Sequence, residues 1–288
     1  MNALRFTAIM VLSAALACGN SSAQQNPMPT DNAALRYWSA FAQMQDTGIT
    51  EQQAKEAHAI LDGTAPYDDS KYKGLVEKNR PALDTMARGT ALPYCDWGVE
   101  LQMGSQAPVD YARKAALLGR LNVFYALHLV IAGDKDGAVR SLQAWLRFSH
   151  DVANGGTLFA TVVAQGLIVS HLQAVSGIQH VSGFSAAQRT ALQKSIEQLG
   201  PEGLDWTAAM KREMEVLPTH DAQEAAARDK IAASYVRLLS NPGTLPDLQK
   251  TISGAPKQIA DLIPNPKRVL DEKQDLMDRL QQTRTLLQ

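Results

Sequence analysis

Apolar residues return every three or four positions through most of this chain, and stretches of strictly alternating polarity are hard to find. That spacing places one face of a helix in a core, so the pattern predicts an all-α fold. A first helix is expected from Asp31, as its N-cap, to Asp46, with Leu35, Trp38, Phe41 and Ala42 on one face. Thr50-Glu51-Gln52-Gln53 reads as a capping box opening a second helix, closed by Gly63. A third region, Ser70 to Arg88, is expected to break near Asn79-Arg80-Pro81, because proline disfavours helical backbone at the residue before it. Gly89 ends it.

The middle of the chain carries the clearest pattern. One helix is expected from about Val109 to Ala132, a second from Gly137 to Ala153, and a third from Thr157 to about Ser176. The turns between them, Gly133-Asp134-Lys135-Asp136 and Asn154-Gly155-Gly156, are short enough to force antiparallel neighbours. Leu158, Phe159, Val162, Val163, Leu167, Ile168 and Leu172 leave the third helix apolar on nearly every face, which predicts that it is the most buried.

Further on, Ser185-Ala186-Ala187-Gln188 is a capping box for a helix ending at Leu199-Gly200-Pro201. Helices are expected at Leu204 to Leu217 and Asp221 to Leu239. The glycines and prolines between Asn241 and Pro266 leave room only for short turns. Lys267 to Gln288 closes the chain as an amphipathic helix with Leu270, Met277 and Leu280 on one side, read as a strut docked on its own domain. The turn Gly133 to Ala138 is like that of a tetratricopeptide hairpin, without a second copy at a fixed period. The expected architecture is an irregular array of antiparallel helical hairpins, partly tetratricopeptide-like. It forms one domain over residues 31–288, within which 185–288 can make a C-terminal sub-region.

The N-terminus adds a destination. Arg5 is the only charge before Asp31, and the apolar run from Phe6 to Ala17 follows it directly. A positive start, a short apolar stretch and a small-residue exit describe a secretory signal over residues 1–23. Two exits compete: Ser21-Ser22-Ala23, which leaves Gln24 first, and Ala15-Leu16-Ala17-Cys18, a near-lipobox in which Cys18 is lipidated. Residues 24–30, with Pro27 and Pro29, read as a tether. Either exit places the protein in the periplasm, on the outer membrane through a lipid anchor, or outside the cell.

Composition mostly removes possibilities. Formal net charge is −1, from 28 basic and 29 acidic residues, so nothing marks a nucleic-acid partner. Of the two cysteines, Cys18 is removed or lipidated, which leaves Cys95 without a disulfide partner. Roughly 265 residues remain after the leader, enough for a core that needs no covalent staple.

Several segments resemble an uncharacterised group of exported, all-helical bacterial proteins common in planctomycetes and their relatives. They are Asn32-Ala33-Ala34-Leu35-Arg36-Tyr37-Trp38, Cys95-Asp96-Trp97-Gly98, the helix from Ala112, and the hairpin turn with Gly133 and Ala138. Phe148-Ser149-His150, leading to Gly156-Thr157-Leu158, completes them. The resemblance covers about residues 31–177, departs from the group's pattern at Ser149, Gly156 and Phe159, and implies a helical fold with no particular activity.

Candidate chemistry is sparse. There is no His-Glu-x-x-His, no paired cysteines and no glycine-rich phosphate loop, so neither metal nor cofactor is indicated. His128, His150 and His171 fall on consecutive helices, and register sets His128 and His171 within roughly 3 Å axially, with His150 roughly 13 Å away. They read as hydrogen-bonded core residues. Gly-x-Ser-x-Gly is absent, and Glu213 and Glu215 face different ways on a helix. What remains is the loop Cys95-Asp96-Trp97-Gly98. Its structural reading makes Trp97 a plug and Asp96 a helix cap; its functional reading makes Asp96, Trp97, Arg147 and His150 a binding site, with Cys95 as a nucleophile if a histidine approaches.

The absence of motif chemistry favours a binding or scaffold module of the cell envelope, taking a peptide or protein partner on a helical array. The alternative is an enzyme of unknown reaction with its site near Cys95 to Gly98.

Overall fold

A computed structural model describes residues 31–45, 64–100 and 110–288, together with Gln52, residues 55–56 and 59–60, and Met103. The segments read as leader (1–23) and tether (24–30), Cys18 among them, and most of the helix expected after Thr50 lie outside the described residues. Among the described residues there are eleven α-helices and no strand, so the fold is all-α. The one sheet-like feature is an isolated bridge between Asn32 and Tyr94.

The helices begin where short polar side chains satisfy free backbone N–H groups. Asn32 caps α1 (Ala33–Gln43) and Asp68 caps α2 (Asp69–Gly89). α3 spans Asp110–Ile131. Asp134 caps α4 (Lys135–Ala153), Thr157 caps α5 (Leu158–Val181), and Ser185 opens α6 (Ala186–Glu197) with both halves of the expected capping box. Asp205 caps α7 (Trp206–Glu215) and Asp221 caps α8 (Ala222–Ser240). α9 (Leu245–Ser253), the single turn α10 (Lys257–Ala260) and α11 (Pro266–Leu287) complete the chain.

Four expectations change. Pro81 sits inside an unbroken α2, although it cannot donate to the Glu77 carbonyl. The buried face of α2 packs along α1, and Asn79 joins the two by accepting from the Gln45 backbone N–H at 2.9 Å. Packing outweighs the local preference of a single residue. The core face of α1 is also rotated from that expected. Ala33, Ala34, Tyr37, Ala40 and Phe41 are buried, whereas Leu35 is 48% and Trp38 37% exposed. Third, α9 forms in the segment expected to hold only turns, with its proline in the first turn, where the missing N–H costs nothing. On α11, Val269, Lys273, Leu276 and Leu280 face inward, while Leu270 and Met277 are only half-buried.

α5 packs against α3, α4, α7 and α11, and α4 against α2, α3, α5 and α6, so the two share the centre. Phe159 and Val181 are the exposed apolar side chains of α5, at 51% and 89%, and Val181 lies beyond Ser176, the expected end of the helix. α3 and α5 are long and apolar enough to cross a membrane by length and composition, and in this fold both pack within the helical array. α11 docks on α5, α6 and α9, which ties residues 185–288 back to the central helices. Lys273 secures it by donating to the Leu239 carbonyl at 2.8 Å and pairing with Glu202 at 2.7 Å.

Candidate functional site

The carboxylate of Asp151, fully buried near the end of α4, gathers most of the residues that the sequence singles out. Tyr37 on α1 donates its hydroxyl to Asp151 Oδ2 at 2.6 Å. Arg147, one turn earlier on α4, places Nε 3.1 Å from Asp151 Oδ1. From the loop after α2, the Trp97 indole N–H donates to the Asp151 carbonyl at 2.6 Å, and Cys95 Sγ lies 3.8 Å from that same oxygen. Burial lifts the Asp151 pKa above the ordinary carboxylate value, opposed by the Tyr37 hydroxyl and the Arg147 charge. Burial, and then the charge of Asp151, push the Tyr37 hydroxyl and the Cys95 thiol upward.

Trp97 is enclosed by aromatic rings. It stacks on Tyr111 at 4.4 Å, on Tyr37 at 5.6 Å and on Phe41 at 6.0 Å between centroids. Asp96 is exposed and caps no helix among the described residues, which corrects the structural reading of that residue. Its Oδ1 accepts from the Gly98 N–H at 2.9 Å and its Oδ2 from the Tyr94 hydroxyl at 3.0 Å, closing a turn in which Gly98 adopts φ +65°. Asn32 holds this loop against α1 by donating to the Asp96 carbonyl at 2.8 Å and accepting from its N–H at 2.9 Å. The two segments quoted first for the family resemblance therefore meet in space.

The four candidate binding residues do not share a cavity. A polar cavity of about 360 Å³ is lined by Cys95, His150, Asn154, Thr161, Asp205 and Arg212, among others. Arg147 and His150 border a smaller one of about 90 Å³ beside α6. Neither is lined by Asp96 or Trp97. Burial lowers the His150 pKa, which favours a neutral ring. An apolar cavity of about 450 Å³ opens between α3 and α5, with Val123, Leu127 and Val130 on one wall and Ala174, Ile178 and Val181 on the other. Ile131, 59% exposed, also lines it.

The histidines separate. His128 Nδ1 pairs with Asp69 Oδ1 at 2.7 Å, a carboxylate supplied from α2. His171 is fully buried with neither ring nitrogen hydrogen-bonded among the described residues, which corrects its reading as a bonded core residue. Burial holds its pKa down to about 3. Among the described residues no three His, Cys, Asp or Glu side chains gather as a metal site. Glu213 is used structurally: its Oε2 accepts from the Leu158 N–H at 3.0 Å, an anion at the start of α5.

Reasoning from the sequence missed Tyr37 and Asp151, and it missed Asp205 and Arg212. The spacing of Arg147 and Asp151, four apart on one helix, was the available signal for the first group. Asp205, Ala208, Ala209 and Arg212 fall on one face of α7, but nothing in the sequence says that this face borders a cavity. The chain matches no protein-family model, no curated protein and no solved structure.

Proposed function

We propose that the protein is a non-catalytic binding module of the bacterial cell envelope, exported by its leader and either soluble or lipidated at Cys18. On this reading its helical-hairpin scaffold holds an apolar segment of a peptide or protein partner. The apolar cavity between α3 and α5 carries the proposal. Its volume, about 450 Å³, falls in the range of ligand-binding concavities. Ile131 and Val181 leave large apolar side chains in water along its lining, a pattern associated with protein contacts.

The enzyme reading rests on Cys95 and His150 lining one polar cavity. Burial and the charge of Asp151 disfavour the Cys95 thiolate, which is the form that a nucleophile needs. Binding is therefore the better-supported function.

Gly177 provides the test. It lines the apolar cavity, and a Cβ added there meets nothing within 4 Å, so Gly177→Met enters the lining without a clash at its first side-chain atom. Capture from envelope extract followed by mass spectrometry should recover a defined partner with the wild-type chain and lose it with Gly177→Met. Equal capture by both proteins overturns the reading. N-terminal mass spectrometry of the natively expressed protein checks export, with Gln24 or a lipidated Cys18 expected first and an intact Met1 counting against both.

A further inference from the structure

The polar cavity shares no lining residue with the apolar one and is built differently. One wall is a single face of α7, on which Asp205, Ala208, Ala209 and Arg212 follow at helical spacing. The two small alanines leave open space between an acid at one end and a base at the other. The opposite wall comes from the end of α4 and the turn after it, with His150, Ala153, Asn154 and Gly156.

Both charged groups are exposed at the edge of the cavity and have hydrogen-bonding capacity to spare. Asp205 Oδ1 caps α7 by accepting from the Ala208 N–H at 2.8 Å, and its Oδ2 takes no hydrogen bond among the described residues. The Arg212 guanidinium forms no ion pair or side-chain hydrogen bond among the described residues, although Glu213 follows it directly. That glutamate is committed to the Leu158 N–H. Arg212 lies over Gly156, whose φ is +78° and whose missing side chain makes room for it; a methyl group there would overlap the guanidinium. Gly156 thus leaves room for an exposed arginine that serves no described internal partner.

We propose that this cavity binds a short peptide by its free ends, with Asp205 receiving the terminal ammonium and Arg212 the terminal carboxylate. Spacing sets the length. Seven residue steps, from the N-cap into α7, set their backbone positions about 10.5 Å apart along the axis. An extended peptide of two or three residues spans about 7 to 10 Å, and the remaining distance is taken up by side chains and hydrogen bonds. Asn154 and His150 line the same cavity and offer polar groups to the peptide's own amides.

Calorimetric titration of the full mature chain with dialanine and trialanine tests this, alongside their N-acetyl and C-amide forms and acetate. At least one free peptide should bind, and blocking either end should weaken it about two- to fivefold, the scale of a charge contact at exposed groups. Asp205→Asn keeps the helix cap and should remove the discrimination against N-acetyl peptide. Arg212→Gln should remove the discrimination against the amide. No binding by either free peptide, equal binding of blocked and free forms, or acetate binding as well as the peptides overturns the proposal. This result is independent of partner capture at the apolar cavity, so either can fail alone.

Discussion

The Tyr37 hydroxyl and the Asp151 carboxylate, 114 residues apart in sequence, meet in a 2.6 Å hydrogen bond that ties α1 to α4. With the carboxylate fully buried, each donor it holds offsets the cost of removing that charge from water. Tyr37→Phe is expected to cost about 1.5–3 kcal/mol, the range for a bond to a charged group. Asp151→Asn lowers the cost of the lost hydroxyl, so urea denaturation of the two single variants and the double variant should show positive coupling. Strict additivity would mean that the pair contributes little.

Trp97 joins a stack of rings and donates to the Asp151 carbonyl, so its removal leaves both a cavity and an unpaired acceptor. Trp97→Ala is expected to destabilise the fold by about 3–5 kcal/mol. Asp96→Asn keeps the exposed turn over Gly98 and should shift stability by less than about 0.5 kcal/mol. Thermal melts compared side by side decide: a Trp97→Ala protein as stable as wild type would return the loop to a binding role.

His171 predicts how stability responds to acid. Its folded-state pKa of about 3 lies below the ordinary 6.5, so between those values the unfolded chain binds more protons than the folded one. Stability contributed by the neutral ring is full above pH 6.5 and should fall by about 1.4 kcal/mol per unit on acidification toward pH 3. His150, also lowered, acts in the same direction; Asp151, raised, acts in the opposite one. The difference between wild type and His171→Leu isolates the histidine. Denaturation midpoints at pH 7, 6, 5 and 4 should show the variant gaining steadily, and a constant difference would exclude His171 as the source.

Tyr111 and Gly155 form a contact of a different kind. The Tyr111 hydroxyl is buried without a hydrogen-bond partner among the described residues, and it occupies the space where a Gly155 side chain would stand. Tyr111→Phe should therefore be neutral or stabilising within about 1 kcal/mol, because it removes an unpaired polar group. Gly155→Ala forces the ring or the turn to move and should cost about 1–3 kcal/mol as overpacking. Combining the two should recover part of that loss. Equal destabilisation of Gly155→Ala with and without the tyrosine hydroxyl would place the strain elsewhere.

By itself, the sequence determined that this protein is helical and where most of its helices begin. Helices start at Thr157 and Asp221 as expected and Ser185 with Gln188 forms the expected capping box, because these signals depend on neighbours within three residues, whereas α1 is capped by Asn32 and not by the expected Asp31. Which face of a helix turns inward is not local in this way. On α1 the small alanines and Tyr37 prevail over the larger Leu35 and Trp38, because close approach to α2 and a buried carboxylate from α4 reward them. Pro81 stays within a continuous helix for a similar reason, since packing along α1 outweighs one lost backbone bond. The candidate sites lie at the same remove from the sequence. Trp97 and His150 were legible as residues, but Asp151 as their common centre and the pairing of Asp205 with Arg212 across a cavity were not. Those relationships arise from helices distant in the chain coming within a few ångströms, and only the tertiary fold brings them there.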